Sequence, residues 1–182
     1  MSHSHDKTML AKFGFSDPDL RLPRHDMACR FVSIYHAGVR DAAMGVTRNP
    51  GWRIGKYTNV WVEYPIEKGA GQYKTTIGFA DVFASLSFEK VNEDGAKDFI
   101  NADVLFEVKI TPVTASEVIR QLNLYRSYKK PKSTVLVVDF DYDASSVDML
   151  KQEDISVIKL GNRFDKWVKH EEERAVPSLP TL

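Results

Sequence analysis

The chain has 182 residues, 43% hydrophobic and 11% aromatic, with 25 Lys plus Arg balancing 25 Asp plus Glu. This is the composition of one globular domain with a sizeable core, and its neutral balance argues against a purely electrostatic nucleic-acid binder. The single cysteine, Cys29, excludes an internal disulfide framework, a CxxC zinc site and an iron–sulfur cluster held by this chain alone.

Residues 1–24 are polar and interrupted by Pro18 and Pro23, which reads as a flexible arm, with His3 and His5 in a mobile tail rather than a metal site. Its start, MSHSHDK, lacks an apolar signal core, and no apolar run reaches the ~18 residues of a membrane span, so a cytoplasmic location is expected. From Arg24 to Gly45, the recurrence of Met27, Cys29, Phe31, Val32, Tyr35, Val39 and Ala43 predicts an amphipathic helix, with Cys29 in the core. A loop through Asn49, Pro50 and Gly51 follows. YTNVWVEYPI, 57–66, alternates and is rich in β-branched and aromatic residues, so it reads as a strand.

After the turn EKGAGQ, residues 73–89 read as a second, central strand that is apolar on both faces. Strict alternation groups Ile77, Phe79 and Phe83 on one face and Ala80, Val82, Ala84, Leu86 and Phe88 on the other. Asp81 is the anomaly. A polar connection over 90–98 leads to a third strand, ADVLFEVKI, 102–110. Thr114 with Glu117 forms a capping box that starts a helix, whose inner face carries Val118, Leu122 and Tyr125. STVLVVDFDYD, 133–143, reads as a buried fourth strand, with Asp139, Asp141 and Asp143 as its polar exit. A helix, a short fifth strand and a terminal helix complete a single domain over 25–176, with a frayed tail at 177–182. The expected order is α, β, β, β, α, β, α, β, α.

Three residues carry chemistry. Glu107 and Lys109 lie two apart on a strand, so they share a face about 7 Å apart, opposite Val104, Phe106 and Val108. This [DE]xK pattern occurs once in the chain. A solvated ion pair would explain it alone. Asp81 adds a carboxylate among apolar neighbours, which needs a cation or strong donors. If the second and third strands pair antiparallel, Asp81 approaches Glu107. Two converging carboxylates make a hard-oxygen site suited to Mg²⁺, beside which Lys109 can orient or deprotonate an attacking water or stabilise a phosphorane.

GFAD (78–81), FEVK (106–109) and QLNLY (121–125) together resemble the PD-(D/E)XK nuclease superfamily, in its RecB-like and lambda-exonuclease-like branches. The resemblance spans about Val60 to Phe140. It implies a restriction-endonuclease-like αβββαβ core with a mixed sheet flanked by helices. It also implies a DNA nuclease that uses Mg²⁺, with Mn²⁺ able to substitute, activates water and leaves a 5′-phosphate. By position, Asp81, Glu107 and the Val108 carbonyl would be metal ligands and Lys109 the catalytic lysine. Gln121 and Tyr125 would brace the site and meet DNA phosphate. Glu63 and His25 or Asp26 are the accessory candidates for an upstream ligand. Arg120, Arg126, Lys129 and Lys130, with Tyr128 and Lys132, form a basic, aromatic-bearing cluster suited to a DNA backbone.

Two departures stand out: no proline immediately precedes Asp81, and the interval of 26 positions from Asp81 to Glu107 implies an insertion. The rival readings are a non-catalytic nucleic-acid-binding module on the same fold, and an unrelated α/β domain in which FEVKI is a surface ion pair. As partners, a second copy fits because each site would cut one strand. A helicase or other subunit of a repair or defence complex fits the neutral charge.

Overall fold

The computed structural model describes residues 23–43, 52–54 and 58–175. The helix α1 spans Pro23–Ala43, followed by β1 (Trp52–Ile54), β2 (Asn59–Lys68), β3 (Thr75–Val91) and β4 (Lys97–Lys109). Then come α2 (Ala115–Lys129), β5 (Ser133–Val138), α3 (Ala144–Gln152), β6 (Ile155–Lys159) and α4 (Asn162–Ala175). The N-terminal arm up to residue 22, with His3 and His5, and the tail at 177–182 lie outside the described residues. Among those described, no helix is long and apolar enough to cross a membrane.

The chain is α/β, built on one mixed six-stranded sheet ordered β1-β3-β4-β5-β6, with β2 also paired to β3. The β1–β3, β2–β3 and β3–β4 pairs are antiparallel, whereas β4–β5 and β5–β6 are parallel. The parallel half is two strand–helix–strand units, β4–α2–β5 and β5–α3–β6. Its central strand β5 is buried throughout, as a strand covered on both faces must be.

Two cores flank the sheet. On one face α1 and α4, through Ala28, Phe31, Val32 and Phe164, cover Val82, Leu86, Val104, Phe106 and Val108. On the other, α2 and α3, through Val118, Leu122, Tyr125 and Leu150, cover Phe83, Leu105 and Leu136. The expected capping box starts α2: Glu117 N–H donates to Thr114 Oγ1 (3.3 Å), and Thr114 N–H donates to Glu117 Oε2 (3.2 Å).

Four sequence expectations change. Pro23 belongs to α1, one residue before the expected start at Arg24, and it fits a first turn, where its missing N–H is no loss. Arg24 ion-pairs with Asp139 and, at 2.8 Å, with Asp165 of α4. A three-residue β1 replaces part of the expected loop, and it is too short to show a period. β4 begins at Lys97, so the β3–β4 hairpin extends to Val91↔Lys97. β5 ends at Val138 rather than running to Asp143, and the acids beyond it go to separate partners. Asp139 meets Arg24, Asp141 pairs with Lys159 at 2.6 Å, and Asp143 caps α3 by accepting from Ser146 N–H (2.7 Å).

Candidate active site

The site forms where β3 and β4 part. Their ladder runs up to Val82↔Phe106 and stops there. At the same level the β2–β3 pairs Val62↔Val82 and Tyr64↔Ala80 keep one register but pass over Glu63, whose φ is 54°. Side-chain alternation slips in both strands. Val82 packs in the α1 layer but Ala80 in the α2 layer. Trp61 and Tyr64, three residues apart, both meet Phe83, at ring-centroid distances of 6.1 and 4.7 Å. Thus Ala80 shares a core with Phe83, contrary to strict alternation. Such irregularities bend a strand and re-aim side chains, and left-handed backbone at a non-glycine residue concentrates at functional sites.

The slip turns Asp81 toward the exposed edge of β4. Asp81 is buried, and its Oδ2 accepts a hydrogen bond from Val108 N–H at 2.7 Å, replacing the ladder bond that β3 no longer supplies. Its Oδ1 lies 3.6 Å from His25 Nε2 on α1, in ion-pair rather than hydrogen-bond range. The carboxylate is therefore held between the free edge of β4 and α1.

Glu107 faces α2 and is only 1% exposed, which removes the surface-ion-pair reading. Its Oε1 accepts from Lys109 Nζ (2.6 Å) and Gln121 Nε2 (2.8 Å). The same Gln121 amide nitrogen donates to Tyr125 Oη at 3.1 Å. Gln121 and Tyr125 reach the site because residues four apart share a helix face. Glu107 Oε2 is buried and finds no hydrogen-bond partner among the described residues. An oxygen in that state is costly unless a cation meets it.

The electrostatics follow from this crowding. Burial, then the charge of Asp81, pushes Glu107 up to about 7, against the pull of Lys109 and Gln121. Burial acts to lower Lys109, but Glu107 and Asp81 more than offset it, so the ammonium is held above its ordinary range. Asp81 raises His25 against its burial. Tyr125 is pushed up to about 12, first by burial and then by Glu107.

The sequence-derived candidates separate clearly. Asp81, Glu107, Lys109, Gln121, Tyr125 and His25 come together, and Val108 joins them through its backbone. Glu63 is half-buried and sits opposite Asp81 at the β2–β3 irregularity. The basic cluster divides. Arg126 donates to the Glu153 carbonyl and to Asn123. Lys129 donates to Tyr64 Oη and lies 4.5 Å above its ring. Arg120 and Lys130 are exposed. Cys29, expected only as core, is buried but also 3.8 Å from His25 Nε2; its spacing of four from His25 was the available signal.

Gly78 shows how tightly Tyr125 is seated. A Cβ there would lie 2.6 Å from Tyr125 Cε1 and 2.7 Å from its hydroxyl. Gly78→Ala is expected to destabilise the fold by about 1–3 kcal/mol, because a buried ring pinned by Gln121 cannot retreat freely. Thermal melting measures this, and an unchanged Tm would mean the ring gives way at no cost.

Comparison with protein-family models, with curated proteins and with solved structures finds no match.

Proposed function

We propose that this protein is a Mg²⁺-dependent deoxyribonuclease of the PD-(D/E)XK type, with a restriction-endonuclease-like core. The observation that carries the reading is the buried Glu107 carboxylate. One oxygen is fixed by Lys109 and Gln121, the other has no partner among the described residues, and Asp81 lies across Val108. That donor set, two carboxylates and a strand carbonyl, fits a hard cation, whose remaining positions waters and a phosphate would fill.

The N–H and C=O of one strand residue leave the same edge. Val108 N–H is directed at Asp81, while the Lys109 carbonyl accepts from Asp139 N–H on the β5 side. The Val108 carbonyl therefore leaves toward β3, where a ligand is needed. Asp81, Glu107 and this carbonyl would hold Mg²⁺, which when bound polarises the scissile phosphate as a Lewis acid.

The other roles follow from the side chains. The raised pKa of Lys109 favours its ammonium form. We therefore assign it to orienting the attacking water and countering charge on the phosphorane, rather than to resting as a free base. Gln121 keeps Glu107 in one orientation and leaves its second oxygen available. Arg120 on α2 and Lys130 at its C-cap are exposed and available to a DNA backbone.

The test is cleavage of labelled linear, circular, single-stranded and branched DNA with Mg²⁺, Mn²⁺ or EDTA, alongside a folded Asp81→Ala variant. Cation-dependent cutting that Asp81→Ala abolishes is expected. No cutting with either metal and no cation binding would turn the reading to a non-catalytic nucleic-acid-binding module.

A further inference from the structure

A second cluster meets the first at Asp81. His25 and Cys29 lie four residues apart on α1, so they share one face of the helix and project toward the β3 irregularity. Ligand atoms of His25, Cys29 and Asp81 all lie within 4.8 Å of one another. His25 Nε2 is 3.6 Å from Asp81 Oδ1 and 3.8 Å from Cys29 Sγ.

These separations can be set against coordination geometry. With Zn–S near 2.3 Å and Zn–N and Zn–O near 2.1 Å, the edges of a tetrahedron are about 3.4 Å for N···O and about 3.5 Å for N···S. These two edges exceed the ideal by only a few tenths of an ångström, and the third, from Cys29 Sγ to the Asp81 carboxylate, is within 4.8 Å, so a rotamer adjustment is needed to close the set. The donors are also of the right kind. Thiolate and imidazole select thiophilic ions, whereas Mg²⁺ takes oxygen. Cys29 is buried and His25 part-exposed, so an ion can enter on the imidazole side and be held on the sulfur side.

We infer that His25, Cys29 and Asp81 form a binding site for a thiophilic divalent cation, Zn²⁺ foremost, and that filling it shuts off the Mg²⁺ site sharing Asp81. Zinc binding forms a Zn–S bond as the Cys29 thiol loses its proton to solvent, while His25 coordinates as neutral imidazole; no oxidant or reductant takes part. Charge supports exclusion. Asp81, Glu107 and a Cys29 thiolate carry three negative charges and Lys109 one positive, which balances one dication and not two. The inhibitory half of this inference rests on the nuclease reading, whereas the binding half does not.

The experiment uses the full chain and two readouts. Titration with Co²⁺ as an optical stand-in for Zn²⁺ should give a thiolate-to-cobalt charge-transfer band in the near ultraviolet, absent in Cys29→Ala and weakened in His25→Ala. Zn²⁺ calorimetry should show affinity falling by more than ~10-fold in each variant, since loss of even an outer-shell partner costs ~10–100-fold. Glu107→Gln should keep the band, which separates this site from the Mg²⁺ site. In Mg²⁺-driven cleavage, the Zn²⁺ concentration for half-inhibition should rise more than ~10-fold in Cys29→Ala, each protein being normalised to its own zinc-free rate.

No cobalt band, or a band that survives Cys29→Ala, overturns the site whether or not the chain cuts DNA. Zinc binding without inhibition of an active nuclease overturns the exclusion.

Discussion

Lys109→Met is expected to slow DNA cleavage by about 10²–10⁴-fold while the chain remains folded. Methionine keeps the apolar stem and removes only the ammonium, which sits 2.6 Å from Glu107 Oε1. Removing that charge lets burial and Asp81 push Glu107 further up, so the carboxyl becomes neutral and is not left as a buried, unpaired charge. The fold therefore survives, and the chemistry loses the group that orients water and counters developing charge. Single-turnover cleavage at saturating Mg²⁺, with a melting curve on the same sample, separates the two effects. A purely structural ion pair predicts the reverse: a lower Tm and an unchanged rate.

The second large effect is a pH-dependent stability carried by Glu107. Its folded-state value of about 7 lies above the ordinary 4.5. The folded chain thus holds this proton more tightly than the unfolded chain. The resulting stability is fully present below about pH 4.5 and is lost as pH rises through about 7. The interval corresponds to about 3 kcal/mol at full extent. Glu107→Gln keeps an amide oxygen for Lys109 and Gln121 but cannot ionise, so it lacks this dependence. In EDTA, urea unfolding of wild type and variant should diverge by about 3 kcal/mol between pH 4.5 and pH 8, with the variant relatively more stable at the alkaline end. Parallel curves would mean that the folded state leaves Glu107 unperturbed.

Much of this was legible in the sequence for physical reasons. An acid within a two-faced apolar strand must find a cation or strong donors, and antiparallel pairing with the next strand, the condition for Asp81 to approach Glu107, is met by β3 and β4. The capping box at Thr114 marked where α2 begins, and Val118, Leu122 and Tyr125 marked its inner face, whereas the place of Gln121 came from the QxxxY resemblance. Other features had no local signature. A three-residue strand such as β1 is too short to show a period. The break in alternation at Glu63 and Asp81 involves neighbouring positions on two paired strands, so alternation read along one of them misassigned Ala80. The role of Lys129 also required tertiary structure: a lysine at a helix end reads as solvated, yet here it lies over Tyr64 and Phe83. Cys29 read as core because its helix face is apolar. Only the fold brings that face to Asp81.

The central claim is that Asp81 and Glu107 jointly hold one hard divalent cation. It is tested most directly by titrating Mn²⁺, which is both bindable and paramagnetic, into the full chain at pH 8. Wild type, Asp81→Asn and Glu107→Gln would be followed by calorimetry and electron paramagnetic resonance. The account predicts one site in the wild type, lost in either variant even though each remains folded. Mn²⁺ binding that is absent from the wild type, or that persists unchanged in both variants, would contradict it.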